Sequence, residues 1–277
     1  MTERNLQTDP CWSPKDLGEP LPSRPHAVSV ALPRWSDVIA YEEKIPACIN
    51  SLKAIYPRFG FHPFVAEVAQ KSLVFHGESN QSSWPYPNIA SALSAQKHCH
   101  RNNSKCSSKI KEFLGISCLI VDQSCTPSAK AFWQHTGLGL SSREAAIALG
   151  KEKKRSTSVS QYAQHELLNR LANIYDCDSN LVQLHRSGMA ALTATLTAIK
   201  CIKGNNSILQ VGFPYVDVLK LPQIIFQGSD LIVKTKSNHI KEELAIKKPA
   251  ALIIEIPSNP LLQCVDLISI SKLAKEK

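Results

Sequence analysis

Three stretches of the 277-residue sequence set polar or aromatic residues where an apolar run gives way to a turn. In the first, Leu181 to Leu184 reads as a short strand, and His185-Arg-Ser-Gly-Met189 follows it. A helix then opens, with Met189, Leu192, Leu196 and Ile199 stepping by three and four. The first N–H groups of a helix have no internal partner, and the aligned peptide dipoles put about half a positive charge there. Gly188 lacks a Cβ and lets an anion reach the backbone, so Ser187, Gly188 and Met189 can hold a phosphate. In the second stretch, Tyr215 follows the strand candidate Ser207 to Val211 and could stack on a flat heteroaromatic ring. In the third, Ser258 and Asn259 follow Ala250 to Ile256 and could offer polar groups to the same crevice, since ligands of open α/β sheets bind beyond strand C-termini. Each stretch also fits a plainer reading: a tight turn, an aromatic packed on the surface, and a Ser-Asn-Pro turn.

These residues need a framework to position them. Beyond Asp178 strand and helix patterns alternate: strands at 207–211, 231–233 and 250–256, helices at Met189 to Ile202 and Asn238 to Ile246, and a last helix capped by Asp266 that runs to Lys275. Continuous apolar strands separated by helices predict a parallel sheet covered on both faces. Upstream, Ser141-Ser-Arg-Glu144 has the form of a capping box and opens an Ala-rich helix ending near Gly150. Ser158 to Gln161 opens a second helix. Its Tyr162, Leu167, Leu168, Leu171, Ile174 and Tyr175 recur at helical spacing, which predicts one face packed inward. Residues 63–135 show only short, ambiguous patterns apart from a strand at Ile116 to Val121. Six of the 17 prolines fall between residues 10 and 33, which predicts an extended arm, with a short helix near Asp37 to Lys44.

Composition narrows the function classes. The longest apolar runs are about six residues, far below the ~20 of a membrane helix, and Met1 to Lys15 has no apolar run of a secretory signal. The expectation is a soluble, cytoplasmic protein with no membrane partner. The net charge is +9, and its densest basic run, Lys151 to Arg155, reads as a solvated turn between helices, so no nucleic-acid role is expected. Nine cysteines with no CxxC pair are expected to be thiols, several of them buried. His98-Cys99-His100 with Cys106 lacks the paired spacing of a zinc site and reads as a surface loop, so no metal is expected.

Taken together, Ser187-Gly-Met-Ala-Ala191, Phe213-Pro-Tyr-Val-Asp217 and Pro257-Ser-Asn-Pro-Leu-Leu262 resemble motifs of the Cys/Met-metabolism (trans-sulfuration) enzymes that use pyridoxal 5'-phosphate. Pro25 to Pro33, Tyr56-Pro-Arg-Phe59 and Ser141 to Glu144 are similar to the longer, fungal-like cystathionine γ-synthase branch. The resemblance implies an α/β fold: an incomplete fold-type-I (aspartate aminotransferase-like) large domain with a parallel-rich sheet. On that basis 1–62 would be the arm and start of the family region, 63–140 a branch-specific insertion, and 141–277 the first half of the cofactor-binding large domain.

By the same resemblance, Ser187 and the backbone amides of Gly188 and Met189 would bind the cofactor phosphate, with Tyr215 stacked on its ring. Tyr56 and Arg58 would reach the cofactor of a neighbouring subunit, and Asn259 with Ser258 would meet the cofactor or the substrate carboxylate. The family's Schiff-base lysine, in a Ser-x-Thr-Lys segment, and the Asp that pairs with the pyridine nitrogen cannot be found in these residues. The expectation is therefore a C-terminally truncated chain with no catalytic residue of its own. The implied activity is γ-replacement of an O-acyl-homoserine by cysteine to give cystathionine, in methionine biosynthesis, by a homo-oligomer. Two alternatives stay open: a cystathionine lyase of the same family, and a non-catalytic protein that pairs with a full-length homologue.

Overall fold

In the computed structural model, residues 4–55, 59–77, 80–154, 156–226, 228–259 and 261–275 are described. The chain divides into two compact units, residues 1–130 with 138–155, and residues 131–137 with 156–277.

The first unit opens with a 3-10 turn at Pro14–Asp16 and a two-residue antiparallel pair, β1 (Pro20–Leu21) and β2 (Ser29–Val30). Helices α1 (Trp35–Glu42) and α2 (Pro46–Ser51) follow, and Pro46 starts α2 at a position where its missing N–H costs nothing. This corrects the expected extended arm. The proline-rich stretch folds back on itself: Gly18 N donates to Ala31 O, Ala31 N to Glu19 O, and Lys53 N to Gly18 O. Gly18 has φ +84°, and a Cβ there would lie 2.0 Å from Ser51 O, so only glycine fits the crossing.

Residues 63–140 hold more order than their sequence pattern suggests. Helix α3 (Pro63–His76), strand β3 (Gln81–Tyr86), helix α4 (Ile89–Asn102) and the hairpin β4 (Ser108–Phe113) and β5 (Ile116–Asp122) form an antiparallel sheet of order β3-β5-β4 under two helices. Leu114 (φ +53°) and Gly115 (φ +75°) make the hairpin turn, both left-handed as a two-residue type I′ turn requires. Val65 and Val68 of α3 pack with Ile116 and Cys118 of β5, Leu140 and Ala145. Helix α5 (Thr126–Thr136) follows, its residues from 131 on grouping with the second unit, and then α6 (Ser142–Ala148). The capping box at α6 is present as expected: Glu144 N donates to Ser141 Oγ at 3.2 Å and Ser141 N to Glu144 Oε2 at 3.0 Å.

Two cysteine readings need correction. His98 and Cys99 are buried on α4 rather than in a surface loop. Cys106 and Cys125, expected as thiols, are joined as a disulfide with Cα atoms 5.7 Å apart. Asp122, at the end of β5, lies between those two segments. It accepts from Ser124 Oγ (2.8 Å), Ser107 N (3.0 Å) and Cys125 N (3.0 Å). Led by the Ser124 hydroxyl, these donors hold its carboxyl below the ordinary 3.8. The stabilisation is complete above the unfolded value and is lost as pH falls through the lower folded one. Resistance to urea unfolding is therefore expected to weaken below about pH 4, less steeply in Asp122→Asn than in wild type. Parallel pH profiles of the two would contradict this.

The second unit contains α7 (Thr157–Tyr175), a 3-10 turn at Ser179–Leu181, α8 (Gly188–Lys203), β6 (Ile208–Val211), α9 (Val216–Ile225), β7 (Ser229–Ile232), α10 (Ser237–Lys247), β8 (Ala251–Ile254) and α11 (Leu267–Lys275). The predicted strand at Leu181 to Leu184 is not formed. Strands β7-β6-β8 make the expected parallel sheet, its central strand buried throughout. Leu209 and Val211 face Ile240 and Leu244 of α10 and Ile270 of α11. Ile208 faces Leu196 of α8, Leu221 of α9 and Phe226. Both faces are thus covered, because alternate residues of a strand point to opposite sides. The inward face predicted for α7 forms only in part: Leu168 and Leu171 are half-buried and Ala172 is buried, whereas Tyr162 and Ile174 are 73% and 75% exposed. No helix among the described residues is long and apolar enough to cross a membrane.

Candidate functional site

The site is built at the C-terminal ends of the parallel strands. Val211 of β6 pairs with Ile232 of β7 and Ile254 of β8, so the three strands end level. The chain leaving β6 enters α9, which packs with Ile208, whereas α11, the helix after β8, packs on the opposite face. Neighbouring strands whose connections depart to opposite faces leave a crevice between them, the usual ligand position in such sheets. Glu255, directly after β8, spans this crevice: its Oε2 accepts from Tyr215 N at 2.6 Å. Tyr215 itself is half-buried at the start of α9.

The α8 terminus supplies the second part. Ser187 is its N-cap, extended at φ −158°, with Ala190 N donating to its Oγ at 3.1 Å and Ala191 N to its carbonyl at 3.0 Å. The N–H groups of Gly188 and Met189 have no partner among the described residues, and no heavy atom lies within 4 Å of the place where a Gly188 Cβ would sit. Two amides of positive polarity are therefore left without a partner among the described residues at an exposed turn, which fits a phosphate. The helix start expected at Ser187 forms although no strand precedes it.

The segment His135-Thr136-Gly137 connects these two parts. Nδ1 of His135 lies 2.7 Å from Oδ1 of Asp217, in the first turn of α9. Thr193 Oγ1 of α8 donates to Thr136 O at 2.8 Å. Gly137, at φ +67°, packs so closely on α8 that a Cβ would meet Ser187 Oγ at 2.6 Å and Ala190 N at 2.8 Å. Two peptide units span at most about 7 Å, so the phosphate cradle and the Tyr215–Asp217 turn share one short stretch of backbone.

The remaining expected residues fall as follows. Ser258 is buried, and its hydroxyl accepts from Gln263 N at 3.0 Å, so it serves its own loop. Asn259 is exposed beside it. Tyr56 and Arg58 lie outside the described residues. His135, Gly137 and Glu255 carry no recognisable signal in the sequence, and Asp217 stood in a quoted motif without a role. Among the described residues one set of three, Cys106, Asp122 and Cys125, converges closely enough for a metal, but its sulfurs are bonded to each other.

Residues 64–141 match the family described as fungal trans-sulfuration enzyme, N-terminal domain. The chain is 27% identical over 271 residues to an L-2-amino-4-chloropent-4-enoate dechlorinase/desaturase of Streptantibioticus cattleyicolor, an alignment covering 92% of this chain and 53% of that protein. It is 31% identical over 163 residues to cystathionine gamma-synthase of Neurospora crassa (50% of this chain, 26% of that one) and 28% identical over 153 residues to that of Saccharomyces cerevisiae (49% and 24%). The chain spans about half or less of the length of these curated relatives. No solved structure matches it.

Proposed function

We propose, from this likeness to fungal trans-sulfuration enzymes, that the second unit is the phosphate- and ring-binding part of a fold-type-I enzyme dependent on pyridoxal 5'-phosphate. The observation that carries the reading is the pair of amides at Gly188 and Met189, without a partner among the described residues, at a helix start packed on the Gly137 backbone. Those amides and the Ser187 hydroxyl would receive the phosphate, and Tyr215, held by Glu255, would lie against the ring. Asn259 would meet the substrate carboxylate from the β8 side. Pyridoxal phosphate, when bound, supplies an electron sink that draws charge from an amino-acid substrate. Residues 63–140 are read as the part special to the fungal branch.

In a polypeptide of the relatives' full length, these residues would serve γ-replacement of an O-acyl-homoserine by cysteine, as in cystathionine γ-synthases. A second reading takes up one of the relatives aligned over most of this chain, a dechlorinase/desaturase, and would be elimination from a substituted amino acid. Cystathionine formation or ammonia release from a halogenated amino acid, assayed side by side, separates the two.

The cofactor reading is tested on the chain itself. Titration with pyridoxal 5'-phosphate and with pyridoxal, followed by tryptophan fluorescence, is expected to show at least a tenfold preference for the phosphorylated form. Gly188→Asp has room for its side chain but sets a carboxylate at the cradle, and it is expected to erase that preference. Equal binding of both ligands by wild type would overturn the reading.

A further inference from the structure

We infer that the buried His135–Asp217 pair is a positioning device that holds the α8 cradle and the α9 ring platform in fixed relation. This rests on the reading of Ser187–Met189 and Tyr215 as cofactor contacts. His135 and Asp217 are 7% and 2% exposed and meet at 2.7 Å. A bond this short between two buried side chains fixes the orientation of the ring. Both side chains are buried, and the role inferred for them is positioning rather than contact with a ligand.

Their value lies in what the next two residues do. Thr136 O is taken by Thr193 of α8, and the Gly137 backbone is wedged against Ser187 and Ala190. The three residues thus grip α9 with a side chain and α8 with main chain. A hydrophobic contact could bury the same area, but it would let the two helix starts slide; a directional bond between ionisable groups does not. Cradle and platform must stay registered if one rigid ligand is to touch both, because tolerance in such sites is of order 0.5 Å.

The experiment separates positioning from plain stability. His135→Leu alone strands a buried carboxylate and is expected to unfold easily. The double variant His135→Leu/Asp217→Leu replaces both partners with apolar groups, and its melting temperature should stay within a few degrees of wild type. His135→Asn keeps a donor near the Nδ1 position. Amide hydrogen exchange without ligand is read at Ala190 and Ala191 of α8 and at Leu219 of α9. In the double variant these amides are expected to exchange about tenfold faster while core amides of β6 do not change, and His135→Asn should restore slow exchange. The preference for pyridoxal 5'-phosphate over pyridoxal should fall about tenfold in the double variant and return in His135→Asn. Unaltered exchange at both helix starts in a folded double variant overturns the inference whatever the ligand data show. Wild type that binds both ligands equally, with exchange behaving as expected, overturns the cofactor reading and supports the coupling.

Discussion

Gly137→Ala is expected to destabilise the protein by about 3 kcal/mol and to weaken pyridoxal 5'-phosphate binding at least tenfold. Two effects combine. An L-residue at φ +67° carries left-handed strain of about 1 kcal/mol, and its Cβ would meet Ser187 Oγ at 2.6 Å and Ala190 N at 2.8 Å. Neither atom can yield freely. They are bonded to each other, and breaking the cap costs about 1 kcal/mol more. Gly150→Ala is the control, because Gly150 has φ +71° with no heavy atom within 4 Å, so it isolates the backbone strain. Urea unfolding of both variants checks the difference. If Gly137→Ala costs no more than Gly150→Ala, the close approach of Gly137 to the cradle is wrong.

Phe226→Ala is expected to cost about 4 kcal/mol, the upper range for removing a fully buried aromatic. Phe226 is 1% exposed and packs with Leu196 of α8, Ile208 of β6 and Leu221 of α9. Lys200 adds to the site, its Nζ 5.8 Å from the ring centroid while it donates to the neighbouring Ile225 carbonyl. Truncation would leave a cavity under both helices that carry the candidate site. Phe226→Leu, which keeps most of the volume, should cost less than about 1.5 kcal/mol. Equal losses for the two variants would mean that packing volume is not what Phe226 contributes.

Much of the second unit is legible in the sequence. The strands at 208–211, 229–232 and 251–254 and the helices at 188–203 and 237–247 follow from continuous apolar runs and helical spacing, with boundaries shifted by two residues or fewer, whereas α9 is not read as a helix. The cradle at Ser187–Met189 is equally local, since a capping serine, a glycine and an apolar period suffice to define a helix start. Residues 63–135 were opaque for the opposite reason. Their sheet is antiparallel and interrupted by α4, so the pairing of Gln81 with Asp122 joins residues 41 apart, and no local period records it. Nor does composition reveal that prolines 20 and 22 flank a fold-back rather than an extended arm.

What the sequence by itself determined is the type of most local elements beyond residue 188, together with the capped start of α8. The tertiary structure alone decided that His135 meets Asp217 across 82 positions, that Glu255 bonds Tyr215 N across the crevice, and that Tyr162, Leu167, Ile174 and Tyr175 of α7 stay exposed. Periodicity shows that a helix has an apolar face without showing what covers it. A lone buried histidine or carboxylate shows its partner only when distant segments are brought together, because such contacts depend on closing long loops rather than on neighbouring residues.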